Sequence, residues 1–246
     1  MKRIKIYLLM CIILCMTNVV TDITAATLHK KGVSLSIPDG WKELPEDIVD
    51  TFEKTAAKMA PDAPAQNYEF GLQLKNAKNL FDFPYILIRI VDNDRISEID
   101  LLNIESYPVQ EVADKTKNQF DRLKDLVLGQ PYYDRDCNII WISIEADDID
   151  IGPASGLSGI IPTEKGFVQV LGYAYKNDYK NYMAVFQETA KSVVLEPELF
   201  YKPNWPQKKS KLMQNMRPFF NALVGASLGV LIYYLIVLIK KRKIEN

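Results

Sequence analysis

In this chain of 246 residues, 48% of them hydrophobic, 30 Lys and Arg nearly cancel 31 Asp and Glu, but the cations gather towards the two ends: between Thr27 and Asn204, 29 acidic residues stand against 19 basic ones, a net of −10. So acidic a middle excludes nucleic acid or anionic lipid as its main ligand, because binding to phosphate backbones runs on clustered cations. The single histidine, His29, excludes a Ser/His/Asp set or a two-imidazole zinc site, and Cys137 is the one cysteine between the ends, so no internal disulfide forms there.

The chain opens on Met1-Lys2-Arg3-Ile4-Lys5, then eleven apolar residues (6–16), then a more polar stretch ending Thr24-Ala25-Ala26. Eleven residues of helix rise about 16 Å, half of a hydrocarbon core of about 30 Å. Residues 1–26 therefore read as a secretory signal cut near Ala26. Carrying the run on to Val20 gives the alternative, a short uncleaved anchor. Cys11 and Cys15 follow the bulky Met10 and Leu14, which is wrong for lipidation, and both read as apolar filler.

Residues 32–37 alternate as a half-buried strand that stops at Pro38-Asp39-Gly40. Residues 45–59 place Ile48, Phe52, Ala56 and Met59 on one helical stripe, with Pro45 suited to the first turn and Glu46 and Asp47 matched to the helix dipole. Residues 67–75 alternate again, with Phe70, Leu72 and Leu74 inward and Glu69, Gln73 and Lys75 outward, a strand with one wet face. The denser runs 85–91 and 139–144 predict central strands. Between them, Val109, Val112, Thr116, Phe120, Leu123 and Val127 recur at three and four residues, predicting one long helix over 108–128 closed by Gly129 and Pro131. Residues 155–162 and 167–175, joined through Thr163-Glu164-Lys165-Gly166, predict a hairpin. A last helix over 178–194 carries Tyr179, Tyr182, Met183, Phe186, Ala190 and Val194 on its apolar stripe. Short links imply antiparallel pairing, and helices with one apolar stripe must lie on a sheet or on each other. The fold class expected for residues 27–195 is α+β, an antiparallel sheet flanked by helices.

Residues 196–217 then read as a linker, basic near its end (Lys208, Lys209, Lys211, Arg217) and placed to meet anionic headgroups. Residues 218–239 carry no charge over the length a helix needs to cross a bilayer, and a short basic tail, 240–246, follows. Flanking cations tie, so orientation is read from the basic N-terminus: the domain faces out and the tail returns inside. Asn221, Gly225 and Gly229 fall on one face of the span, a candidate docking face for another helix. No Asn-x-Ser/Thr sequon occurs, which leans towards a bacterial origin.

Two acidic clusters, Asp92/Asp94/Glu98/Asp100 and Glu145/Asp147/Asp148/Asp150, are placed at strand-ending loops. Calcium needs six to eight converging oxygens and a glycine where the first cluster has Ser97, so both read as solvated loops. No catalytic, cofactor or metal residue is assigned.

The stretch 32–45, GVSLSIPDGWKELP, resembles the opening of the Mog1/PsbP-like α/β/α sandwich superfamily, where a strand ends in Pro-x-Gly-Trp and leads into a helix. The later hairpin and aromatic-rich terminal helix resemble it too, over about residues 28–195. The resemblance implies that Pro38, Gly40 and Trp41 are structural, with Trp41 packed under the first helix, and that the role is binding or assembly. It supplies no catalytic residues. The C-terminal span departs from the soluble members. The expected protein is a non-enzymatic, membrane-anchored extracytoplasmic module of the bacterial plasma membrane. Its expected partners are the bilayer and either a membrane protein or a second copy met through the span. A hydrolase with paired carboxylates and a ligand-sensing subunit are the alternatives. An aromatic binding patch is sought at Trp205 or at Tyr132 and Tyr133.

Overall fold

The computed structural model describes residues 26–59, 67–92, 95–118, 123–149 and 152–204. The two apolar end runs, with Asn221, Gly225, Gly229 and Trp205, lie outside the described residues, and among those described no helix is long and apolar enough to cross a membrane.

In chain order the elements are β1 (Thr27–Lys30), β2 (Val33–Ser36), β3 (Trp41–Glu43), α1 (Glu46–Met59), β4 (Phe70–Leu74), β5 (Tyr85–Asp92), α2 (Glu98–Asn103), α3 (Val109–Lys117), β6 (Leu123–Leu128), β7 (Tyr132–Asp134), β8 (Ile139–Asp148), β9 (Gly152–Pro162), β10 (Gly166–Tyr175), α4 (Tyr179–Lys191) and β11 (Val194–Leu195). The main sheet runs β3-β4-β5-β10-β9-β8-β6, with β7 paired on β8, and every described pairing in it is antiparallel. A second sheet, β1-β2-β11, lies apart from it.

Alternation along the long strands sends side chains to two covered faces. Leu87, Leu171, Ile142 and Leu126 join Phe52 of α1, Leu101 of α2 and Val112 of α3 in one core. Ile86, Ile88, Val168 and Val170 join Phe186 and Ala190 of α4 and Val33 and Leu35 of the small sheet in the other. This is the α+β arrangement expected, an antiparallel sheet between helical layers. Helix α4 lies close on the strands: a Cβ built on Gly172 would fall 2.2 Å from the Phe186 ring, so only glycine admits that approach.

Strand β2, strand β5 and the β9–β10 hairpin stand where the periodicity predicts them, and the predicted strand 139–144 runs on to Asp148. Four expectations are corrected. The wet face expected over 67–75 holds at Lys75, which is exposed, but not at Gln73, which is 1% exposed and whose side-chain oxygen accepts the Phe81 backbone N–H at 2.9 Å. The buried Glu69 carboxylate is held by Lys30 at 3.0 Å and by Lys31. Layers lie on both sides of the sheet, so polar side chains there are partnered internally.

The long helix over 108–128 ends at Lys117, and Leu123–Leu128 is strand β6. Its register against β8 shifts between Leu123 and Asp125, a bulge. An inserted residue puts Leu123 and Leu126 on one face at a spacing of three, which imitates a helix. The last helix stops at Lys191, and Met183 and Val194 of its expected stripe are exposed. Finally, residues 196–201 are not a free linker, because they pack on the body.

Candidate functional site

The Pro38 turn is built by the Trp41 N–H donating to the Pro38 carbonyl at 3.0 Å, with Gly40 at φ +79°. Nothing crowds Gly40, so it is the left-handed backbone that favours glycine there. The Lys75 N–H donates to the Gly40 carbonyl at 2.9 Å and ties the turn to the end of β4. Trp41 is 3% exposed and structural, but it packs beneath α4: its ring meets Tyr182 and Phe186 edge-on at 6.4 Å each. The expected place under the first helix is wrong, because β3 turns Trp41 to the α4 face while α1 crosses to the other.

Between this turn and α4 lies an open groove of about 430 Å³, walled by Ile37, Pro38 and Asp39 on one side and by Ala184, Val185 and Glu188 on the other. The Ser36 N–H and the Thr189 and Ser192 hydroxyls along it are bonded within the chain. The Ser36 N–H donates to Ser192 Oγ at 3.2 Å, that hydroxyl donates to the Thr189 carbonyl at 2.8 Å, and the Thr189 hydroxyl donates to the Val185 carbonyl at 2.8 Å. Glu188 is paired with Lys191 at 3.3 Å. The groove therefore offers mainly apolar surface, the lining expected of a binding cleft.

On the opposite face of the sheet runs a buried polar seam. The Arg89 guanidinium donates to Gln169 Oε1 at 3.3 Å, and Gln169 Nε2 donates to Ser158 Oγ at 3.0 Å. Burial pushes the Tyr68 phenol up to about 12 and the Tyr173 phenol well above its ordinary value, with Arg89 opposing both. Burial also raises Glu53, whose carboxylate accepts the Tyr68 backbone N–H. A buried guanidinium has to be bonded to be tolerated, and one register of β5, β10 and β9 brings these partners together. The seam was hidden in the sequence because Arg89 and Gln169 are single polar letters inside apolar runs.

A third cluster fastens the C-terminal strap, residues 196–204. Arg95 donates to Glu98 Oε1 at 2.8 Å, approaches Glu164 at 3.6 Å and lies 4.6 Å over the Tyr201 ring. The Tyr201 hydroxyl donates to the Ile96 carbonyl at 2.9 Å, the Asn204 N–H to Glu98 Oε1 at 3.1 Å, and the Lys202 N–H to Glu164 Oε2 at 3.2 Å. Upstream, the Glu196 N–H donates to the Gly32 carbonyl at 2.8 Å, Leu199 is buried, and Phe200 bridges to Thr163. Burial raises Glu98, but hydrogen bonds from Arg95 and from backbone N–H groups outweigh it and hold the carboxyl below its ordinary range. Glu98 and Glu164 are thus two carboxylates converging on one cation.

Asp94 and Asp150 of the acidic clusters lie outside the described residues, and the other members sit in helices or strands. Glu98 and Asp100 belong to α2, where Ser97 caps the helix and its hydroxyl donates to Asp100 at 2.6 Å. Glu145, Asp147 and Asp148 belong to β8, with Glu145 paired to Lys176 at 2.6 Å. Among the described residues no group of three or more His, Cys, Asp or Glu is placed to hold a metal ion. His29 lies in β1 with its ring 2.8 Å from Ser34 Oγ. Of the tyrosine pair only Tyr132 is exposed, at 54%, while Tyr133 donates to Asn138 Oδ1 at 2.7 Å. The Cys137 thiol is half-buried, raised by burial and by its hydrogen bond to Asp134.

No family model and no curated protein matches the chain. Among solved structures it is similar to the solution structure of cyanobacterial PsbP (CyanoP) from Synechocystis sp. PCC 6803, at 9% identity over 72% of this chain and 95% of that one, with a TM-score of 0.44. It is also similar to the crystal structure of LpqN, described as involved in cell envelope biogenesis of Mycobacterium tuberculosis, at 12% identity over 72% of this chain and 88% of that one, with a TM-score of 0.36.

Proposed function

We propose that this chain is a membrane-anchored, non-enzymatic binding or assembly module of the bacterial envelope. An exported domain stands on the outer side of the plasma membrane, and residues 218–239 cross it. The observation that carries the reading is the strap: Tyr201 and Asn204 are bonded to the body, which leaves only residues 205–217 between the folded domain and the uncharged run. A body held this close to a span works at the membrane, on a partner in or beside it. The groove between the Pro38 turn and α4 supports a binding role, since its lining is mainly apolar and its Thr189 and Ser192 hydroxyls are bonded within the chain. The face Asn221/Gly225/Gly229 is where a membrane partner or a second copy would meet the span.

Alkaline carbonate extraction with protease treatment of intact spheroplasts tests this. The expected outcome is a chain that stays in the membrane pellet and loses its domain to external protease. Release into the supernatant, or a domain protected until lysis, would refute it.

A further inference from the structure

We propose that one end of the body, formed by residues 95–97 before α2, the β7–β8 turn and the β9–β10 turn, is the surface that faces the bilayer, and that the strap 196–204 holds it there. This rests on the membrane-anchored reading above.

Strand direction defines two ends of the main sheet. At one, β10 begins at Gly166 opposite Asp92, β9 ends at Pro162 and β8 begins at Ile139. At the other, β10 ends at Tyr175, and β8 and β9 meet at Asp148 and Gly152. Ten residues of extended strand at about 3.3 Å each separate these ends by about 30 Å. Every polar contact of Tyr201, Lys202 and Asn204 goes to the first end, to Ile96, Glu164 and Glu98.

The chain leaves this end at Asn204 with residues 205–217 before the apolar run. Thirteen residues reach at most about 45 Å whatever their conformation, and about 20 Å if helical. Setting the opposite end on the bilayer would spend about 30 Å of that reach running back along the body. That needs a tether stretched to about two-thirds of its limit. With the strap end on the bilayer, any conformation of the tether suffices. Were residues 196–204 not fastened, the tether would start at Leu195 and have 22 residues, reaching about 75 Å, and either end could face the membrane. The clamp on Arg95, Glu98 and Tyr201 thus turns a permissive leash into an orienting one.

The test uses the chain from Thr27 to Asn246 in liposomes that carry an energy-acceptor dye on a fraction of their headgroups, with Cys137 changed to Ser. A donor dye is placed at Lys165→Cys in the β9–β10 turn or at Asn177→Cys beyond β10, both exposed. Transfer from position 165 should exceed that from 177 by at least about twofold, since about 30 Å of strand lies between them. Tyr201→Phe combined with Glu98→Gln should bring the two values together. Arg95→Ala serves as a second way of loosening the clamp. A chain that floats with the liposomes but transfers equally from both positions, or more from 177, overturns the orientation alone. A chain that does not float overturns the anchored reading, and the orientation with it.

Discussion

Glu69 shows how a charged side chain can be buried in a wall that a pattern reads as wet. Burial alone would raise its carboxyl, but hydrogen bonds from Lys31 and Lys30 outweigh burial and the net shift is downward. A carboxyl with a folded pKa below its unfolded value stabilises the fold at pH above the unfolded value, and that contribution is lost as pH falls through the folded one. The urea midpoint should therefore drop as pH is lowered below about 4.5, the ordinary Glu range. Glu69→Gln should lower the midpoint at neutral pH and remove its share of that drop, Glu98 keeping another. An equally steep fall in the variant would show that other groups govern acid stability. Glu69 was legible as a polar letter in an alternating run; that two lysines of the β1–β2 turn close over it was not, because they lie 38 and 39 residues away in the chain.

Among the elements, β6 separates local pattern from its physical cause. Helical spacing places Val127 inward, whereas the bulged strand leaves it 43% exposed and buries Leu126 to 1%. Leu126→Ala should cost about 2–5 kcal/mol, and Val127→Ala no more than about 0.5 kcal/mol, read from denaturation midpoints. A larger loss at Val127 would restore the helix. The hairpin β9–β10 and strand β5 were legible because their signal is local: dense apolar runs bounded by turn residues. The same holds for α1, where Val49 nonetheless joins Phe52 inside. Short elements such as α2, β7 and β11 carry too few residues for a period to show, and α2 and the strap owe their position to each other through Arg95, Glu98 and Tyr201.

At the scale of the whole molecule, the proposed span would give the chain a means of meeting partners separate from that of the body. If the face Asn221/Gly225/Gly229 docks another helix, Gly225→Ile with Gly229→Ile should shift the full-length chain to a smaller species in native gels of detergent extracts, because side chains at those positions bar close backbone approach. Unchanged complexes would leave association to the body and its groove beside α4. The sequence by itself determined the division of the chain into apolar ends and an acidic middle, the absence of histidine chemistry, and the α+β order, since charge, length and short-range periodicity are local properties. Tertiary structure alone decided that Trp41 lies under α4, that Arg89 meets Gln169 and Ser158 inside, and that residues 196–204 are fastened to the body. Each of these is a contact between residues far apart in the chain, and long-range pairing is settled by which faces must be covered together.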